Sequence, residues 1–221
     1  MQRILDIVFA VTALILLSPV FLVTIIILSL KGDGEIFFSQ PRIGRYGKQI
    51  NILKFATMLK NSPNIGTGTI TLKDDPRILP FGNFLRKTKI NELPQLLNII
   101  IGQMSFIGPR PQTKRCFDAF PETSQKMITL VRPGLSGVGS IYFRNEENIL
   151  NDARNAQIIY NKVIMPFKGE LEEWYVNNQS IRLYFKLILF TVVTVLGGLS
   201  STEKLKLKNV PKIPSELEQY F

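Results

Sequence analysis

FLRKTKINELPQLLNIIIGQMSFIGPRP, residues 84–111, sets three features close together in the chain. Arg86, Lys87 and Lys89 make a cationic run, and Glu92 stands two residues before Pro94. Gly108-Pro109-Arg110-Pro111 closes the stretch with a turn in which two prolines fix the backbone on either side of an arginine. Phe81, Leu85, Ile90, Leu93, Leu96 and Leu97 recur at helical spacing, which predicts an amphipathic helix here. Pro94 suits its first turn, so the helix is expected to begin near Asn91 or Glu92, with Asn91 as its N-cap. A capped helix would explain a carboxylate at this point without any chemistry. What singles out Glu92 is the charge around it, because the upstream cations and the downstream Arg110 concentrate phosphate-binding groups near one acid. A preorganised guanidinium such as that of Arg110 suits bidentate contact with a phosphate.

Towards the N-terminus, Ile4 to Leu30 is almost uninterrupted apolar sequence, broken by Asp6 and by Ser18-Pro19. As one helix it would be ~40 Å long, more than a bilayer core of ~30 Å requires. The run is too long for a secretory signal peptide, and no small-residue cleavage site precedes Lys31. Pro19 cannot donate a backbone hydrogen bond, so a kink is expected, and the Ser18 hydroxyl can return to a freed carbonyl. Two readings are compatible with this: a kinked transmembrane helix, or a helix-break-helix that enters one leaflet and returns. Arg3 and Lys31 place positive charge at both ends, which suits two ends on the same side.

A second apolar stretch, Leu183 to Leu199, is interrupted by Lys186 and ends in Gly197-Gly198. Its clean part is only about thirteen residues, short of the roughly twenty that a span needs. An interfacial position or packing on the first stretch is expected. Trp174, Tyr175, Arg182, Tyr184 and Lys186 suit a headgroup zone, and core packing accounts for the aromatics equally well.

Composition narrows the chemistry. The 221 residues are 45% hydrophobic and carry a formal charge of +10, enough for one sizeable core and a surface that attracts polyanions. Charge alone does not choose among nucleic acid, nucleotide phosphates and an anionic bilayer. The chain has no histidine, so Ser-His and Cys-His catalysis is excluded and the commonest zinc ligand is missing. The single cysteine, Cys116, cannot form an internal disulfide and reads as a small buried hydrophobe.

Between the apolar stretches the chain shortens its pattern. Glu35 to Phe38 and Gln49 to Phe55 read as strands of a hairpin joined by a turn through Gln40-Pro-Arg-Ile-Gly44 and Arg45-Tyr-Gly47. Asn61 to Thr71 reads as a polar loop. In Asp74-Asp75-Pro76-Arg77 the acids either cap the next turn or bind a divalent cation, with capping preferred. Arg144 follows a β-prone run.

Taken jointly, the Ser-Pro break, Gln40-x-Arg42-x-Gly44, Lys54-Phe55-Ala56-Thr57-Met58, Glu92-Leu93-Pro94-Gln95, Met104-Ser105-x-x-Gly108-Pro109-Arg110-Pro111 and Arg132-Pro133-Gly134-Leu135-Ser136-Gly137 resemble the bacterial sugar transferases. These are small monotopic phosphoglycosyl transferases, and the resemblance runs with interruptions from Arg3 to about Thr194. It implies an α/β fold anchored by an N-terminal re-entrant helix-break-helix at Ser18-Pro19, with interfacial amphipathic helices and a small β-hairpin. Residues 1–30 would be the membrane element, 31–199 a cytoplasmic transferase domain, and 200–221 a basic tail whose lysines read as solvated.

The implied activity moves a sugar 1-phosphate from a UDP-sugar to polyprenyl phosphate at the cytoplasmic face of the bacterial inner membrane, initiating a surface glycan. Membrane lipid is a further partner, a homodimer is admitted, and nucleic acid is not expected. The family pattern implies a nucleophilic aspartate where this chain has Asn91, and an adjacent glutamate, Glu92, that helps to hold Mg²⁺. Arg110 and Pro111 are implied in diphosphate binding, with Arg86, Lys87, Arg132 and Lys54 as further substrate-binding residues and Asp75 as a second metal candidate. Three departures stand out: Asn91 for the aspartate, Gln103 for an acid and Ala56 for an arginine. The readings left open are an active transferase in which Glu92 or Asp75 serves as nucleophile or metal ligand or polyprenyl phosphate attacks directly, a catalytically silent relative that binds nucleotide sugar or lipid, and a basic membrane-surface module.

Overall fold

The structure is a computed structural model that describes residues 1–62, 75–144, 146, 149–150, 156–195 and 207–220. Most of the expected polar loop, Asp74, Gly197-Gly198, Lys204 and Lys206 lie outside the described residues. The chain is mixed helix and sheet and divides into two compact units, Met1–Pro41 with Asn51–Gly102 and Arg42–Ile50 with Gln103–Phe221.

The first unit opens with helices α1 (Gln2–Leu16) and α2 (Ser18–Lys31), bent by 61° across Leu17. Pro19 lies in the first turn of α2, where its missing N–H leaves the Ile15 carbonyl without its normal i+4 donor. Ser18 Oγ donates to that carbonyl at 2.8 Å, the return expected from sequence. Among the described residues no single helix is long and apolar enough to cross a membrane, but the bent pair meets that test together. Both arms are apolar outside: Ile4, Val8, Ile15, Leu22, Val23 and Ile26 are exposed, while Asp6 and Thr24 are buried. That is the reverse of the distribution that water selects, and exposed apolar patches of this kind mark interaction surfaces.

Strands β1 (Phe37–Ile43) and β2 (Gln49–Phe55) form the hairpin, with the turn confined to Gly44–Lys48. Phe55 joins Leu28 of α2 and Leu85 of α3 (Gly82–Lys87) in a core lined by Phe21, Ile25, Ile36, Phe81, Ile90 and Leu93. Phe21 and Phe37 close on the Phe55 ring at 4.8 and 5.4 Å. Helix α4 (Gln95–Ile100) is pinned to β2 by Asn98, whose Oδ1 accepts from Leu53 N at 2.9 Å and whose Nδ2 donates to Asn51 O at 2.8 Å. At its other end Arg3 of α1 donates to the carbonyls of Ile99 and Ile100, capping α4 with a cation where the helix dipole favours one.

In the second unit the hairpin tip is held by backbone bonds from Ile43 to Gln112 and from Tyr46 to Thr129. Strand β3 (Ser105–Ile107) runs parallel to β4 (Gly134–Ser136), pairing Ser105 with Gly134 and Ile107 with Ser136. Helices α5 (Lys114–Phe117), α6 (Glu122–Ile128), α7 (Val138–Tyr142) and α8 (Ala156–Ile159) follow. A single π turn, Tyr160–Ile164, leads into α9 (Met165–Asn177), and α10 is Ile181–Val195.

Several expectations change here. The β-prone run before Arg144 is helix α7, because its apolar residues Val138, Ile141 and Tyr142 are all buried. Tyr175 and Tyr184 are core residues, with the Tyr175 hydroxyl donating to Ile107 O at 3.0 Å, so a headgroup position does not describe them. Phe185, Leu189, Val192 and Val195 of α10 remain exposed opposite its buried Leu183, Leu187 and Phe190. The tail is not wholly solvated, since Leu217 is fully buried. Cys116 is half-buried and engages the Tyr160 hydroxyl, whose pKa rises through burial and then through that contact.

Candidate functional site

Within the first unit, α3 ends where Lys89 adopts a left-handed conformation, with φ of 60°. A lysine pays a steric cost there, and the result is a sharp redirection of the chain. Ile90–Glu92 then forms a 3₁₀ turn, closed by Glu92 N donating to Lys89 O at 3.0 Å. The helix resumes only at Gln95, and its N-cap is Pro94 with no side-chain cap bond. The expected continuous helix is therefore interrupted, and Asn91 is not its N-cap. Lys89 breaks the α3 hydrogen-bond series, and Pro94, which has no N–H to give, can only stand at the start of the next.

Asn91 is buried, at 7% exposure, and its Oδ1 has no hydrogen-bond partner. Glu92 beside it is only half-buried. Of the two, Glu92 is the side chain that solvent or a substrate can reach. Arg86 and Lys87 sit in the last turn of α3, the first half-buried and the second exposed, and Lys54 is half-buried on β2. Ala56 is 6% exposed, so the position has become part of the apolar interior.

Asp75 takes the capping role. Its Oδ1 accepts from Arg77 N at 3.0 Å and from Arg77 Nε at 2.8 Å, while Oδ2 accepts from Arg77 Nη2. Both residues are buried, and Arg77 Nη1 also donates to Ser62 O at 2.8 Å. Mg²⁺ takes oxygen ligands, usually one or two carboxylates together with substrate phosphate. The half-buried Glu92 carboxylate is a suitable donor for such sharing, whereas the amide oxygen of Asn91 is enclosed by the fold. Among the described residues no group of three or more His, Cys, Asp or Glu side chains could hold a metal by itself.

Two expected motifs meet in the second unit. Gly108 N donates to Ser136 O at 2.9 Å, and Gly134 N donates to Pro109 O at 2.8 Å, which stitches Gly108–Pro111 to Arg132–Gly137. The fit is tight: a Cβ on Gly108 would lie 2.4 Å from Arg132 O, and one on Gly137 2.2 Å from Gly108 O. Pro109 and Pro111 are buried while the Arg110 side chain is exposed, so the loop presents a guanidinium from a fixed backbone. Arg132 is half-buried at the start of the partner segment.

Sequence reasoning missed Glu172, on α9. It is 3% exposed, the Arg110 backbone hydrogen-bonds to its carboxyl group, and burial pushes that group up to about 8. A glutamate in a helix that otherwise reads as surface, GELEEWY, gives no signal of its own. Arg3 and Asn98 were also passed over as a flanking charge and a polar helix residue, because their partners lie far away in sequence.

The family model for bacterial sugar transferases matches residues 1–198. An exopolysaccharide production protein, ExoY, of Sinorhizobium fredii is 36% identical over 159 residues, covering 66% of this chain and 70% of that one. The sugar transferase EpsL of Bacillus subtilis is 34% identical over 196 residues, with coverage of 89 and 87%. A UDP-N-acetylgalactosamine-undecaprenyl-phosphate N-acetylgalactosaminephosphotransferase of Aeromonas hydrophila is 32% identical over 199 residues, which is 89% of this chain but 44% of that longer one. The chain belongs to the bacterial sugar transferase family.

Proposed function

We propose that the protein transfers a sugar 1-phosphate from a UDP-sugar to undecaprenyl phosphate, releasing UMP, as an opening step of surface-polysaccharide synthesis. Membership of the family over residues 1–198 carries this reading, supported by the activity named for the Aeromonas relative and the exopolysaccharide role named for ExoY. In the net reaction an oxygen of undecaprenyl phosphate forms a bond to the sugar-bearing phosphorus, and the bridging oxygen leaves with UMP. Arg110 binds phosphate through its exposed guanidinium, and Lys54, Arg86, Lys87 and Arg132 add positive potential within their own units. Glu92 is the indispensable carboxylate, because it is accessible where Asn91 is buried and uncharged.

Glu92 would hold Mg²⁺ jointly with substrate phosphate, whereas the Asn91 oxygen is buried and Asp75 has both oxygens engaged by Arg77. The metal, when bound, neutralises phosphate charge. The bent N-terminal pair is a re-entrant anchor with both ends on the cytoplasmic face, supported by its 61° bend and the outward apolar surface of both arms. The amphipathic α10 lies at the interface through its exposed apolar residues. The test is release of UMP by the purified chain with Mg²⁺, undecaprenyl phosphate and a panel of UDP-sugars. Release with at least one sugar is expected.

One observation favours a second reading, that of a silent relative which binds without turnover: a buried amide, its Oδ1 without a hydrogen-bond partner, occupies the position of the family's nucleophile. No UMP release with any sugar, together with activity regained in Asn91→Asp, would establish it.

A further inference from the structure

Helix α9 reaches the phosphate-binding loop at two points one turn apart. Tyr175 donates from its hydroxyl to Ile107 O at 3.0 Å, and Glu172, three residues earlier and thus on the same helix face, receives the Arg110 backbone. The Tyr175 contact fixes the strand that leads into Gly108. The Glu172 contact falls on the residue whose guanidinium the loop presents. Glu172 Oε2 is buried without a hydrogen-bond partner, an exception among buried polar atoms that calls for an explanation. Its Oε1 fills the space over Gly139, where a Cβ would come within 2.5 Å of it.

We propose that Glu172 is the positioning residue of the Arg110 loop: its buried carboxyl group holds the Arg110 peptide, and gain or loss of its proton changes how that loop receives a diphosphate. This rests on the reading of Arg110 as a phosphate-binding cation. Neutral Glu172 leaves the Arg110 charge available to phosphate. Ionised Glu172 introduces a negative charge beside the same peptide, which competes with an anionic ligand and repels it.

The surroundings make this a local device. Two cations bear on the carboxyl group, Arg110 from the loop and Lys168 one turn earlier in α9. Lys168 is itself paired to Glu146 at 2.7 Å, so part of its field is already compensated. Helix α7 faces Glu172 with Gly139, and its titratable Tyr142 is shifted upward by burial, away from neutral pH. Helix α6 gives Ser124 to the neighbouring Glu173 and keeps Glu122 and Lys126 exposed; Lys162 of the π turn is exposed as well. Burial then holds the Glu172 carboxyl at about 8, so its proton is exchanged close to neutral pH.

The experiment uses the full chain in lipid nanodiscs, labelled with ¹⁵N-arginine, with UDP-glucose and UDP-N-acetylgalactosamine as diphosphate probes. The Arg110 amide resonance should move with a midpoint near 8, and affinity should fall roughly tenfold as pH rises through it, by linkage between the proton and the anion. In Glu172→Gln the amide should not titrate, and affinity should be the same on both sides of that midpoint. An Arg110 amide that ignores pH in the unaltered protein, or a Glu172→Gln protein that keeps the full pH profile, overturns the proposal. Failure of the functional reading looks different: neither probe binds at any pH, Arg110→Ala matches the unaltered protein, and the Arg110 amide still titrates.

Discussion

Arg3, in the first turn of the chain, closes the C-terminal end of the helix that contains Ile99, donating to the carbonyls of Ile99 and Ile100. This ties the start of the apolar hairpin to the short helix that follows Asn91-Glu92-Leu93-Pro94. Hydrogen bonds from a charged donor to carbonyls are worth about 1.5–3 kcal/mol, so Arg3→Leu should lower thermal stability measurably. Arg3→Lys should recover only part of the loss, because one ammonium cannot reproduce the planar fork that serves two carbonyls. Thermal unfolding in nanodiscs provides the comparison, and equal stability of Arg3→Leu and the unaltered chain would deprive the contact of structural weight.

Glu92→Gln should abolish UMP release, a loss of roughly 100-fold or more in rate. Asn91→Ala should lower release only moderately, since no hydrogen bond to Oδ1 is lost. Mass spectrometry of quenched reactions adds the chemistry: a phosphosugar adduct on Glu92 identifies it as the nucleophile, and turnover without an adduct identifies direct attack by the lipid phosphate. Robust turnover by Glu92→Gln would refute the assignment.

Arg110→Ala should weaken UDP-sugar binding by about 1.5–3 kcal/mol while leaving the fold intact, because the side chain is exposed and the loop is held through its backbone. Arg110→Lys should restore part of the affinity. Isothermal titration measures both, and an unchanged affinity in the alanine variant would leave Arg110 as an exposed loop residue only.

Cysteine labelling tests the anchor. Gln2→Cys and Lys31→Cys in an otherwise cysteine-free chain, with Cys116→Ser, should react from the cytoplasmic side alike. Gly32 is unsuited to such a probe, since a Cβ there would sit 2.3 Å from Leu28 O. Opposite sidedness of the two probes would establish a membrane span in place of a re-entrant hairpin.

Glu172 also makes a prediction about stability. Its carboxyl pKa rises from 4.5 to about 8 on folding, so the native state binds the extra proton between those values. The corresponding stability is fully present below the unfolded value and is lost as pH rises through the folded one. Thermal midpoints should therefore decline from pH ~5 to ~8 in the unaltered chain and decline less in Glu172→Gln. Parallel curves for the two proteins would show that Glu172 ionises alike in both states.

Local features were legible in the sequence in proportion to how local their physics is. The second strand of the hairpin, Gln49–Phe55, the Ser18 hydroxyl on the carbonyl freed by Pro19, and the capping geometry of Asp75 each depend on residues a few positions apart. The boundary at Gln95 was hidden because it depends on Lys89 entering a left-handed conformation, which its residue type disfavours. Asn98 bridging β2 and Glu172 beneath Arg110 each require a partner more than forty residues away, beyond the reach of periodicity or spacing. The burial of Tyr175 and Tyr184 was equally out of reach, since an aromatic ring satisfies a core and a membrane interface by the same chemistry.

The backbone stitching of Gly108 and Gly134 has a consequence for how this enzyme could be re-engineered. The carbonyls and amides that fix Pro109 and Ser136 leave less than a carbon atom's clearance at Gly108, Gly134 and Gly137. The height at which Arg110 stands is thus written into the main chain and cannot be adjusted by small steps of mutation. Libraries aimed at a new donor sugar should hold residues 108–111 and 133–137 constant and vary the side chains that surround them, because the Arg110 backbone will keep its station while its neighbours change.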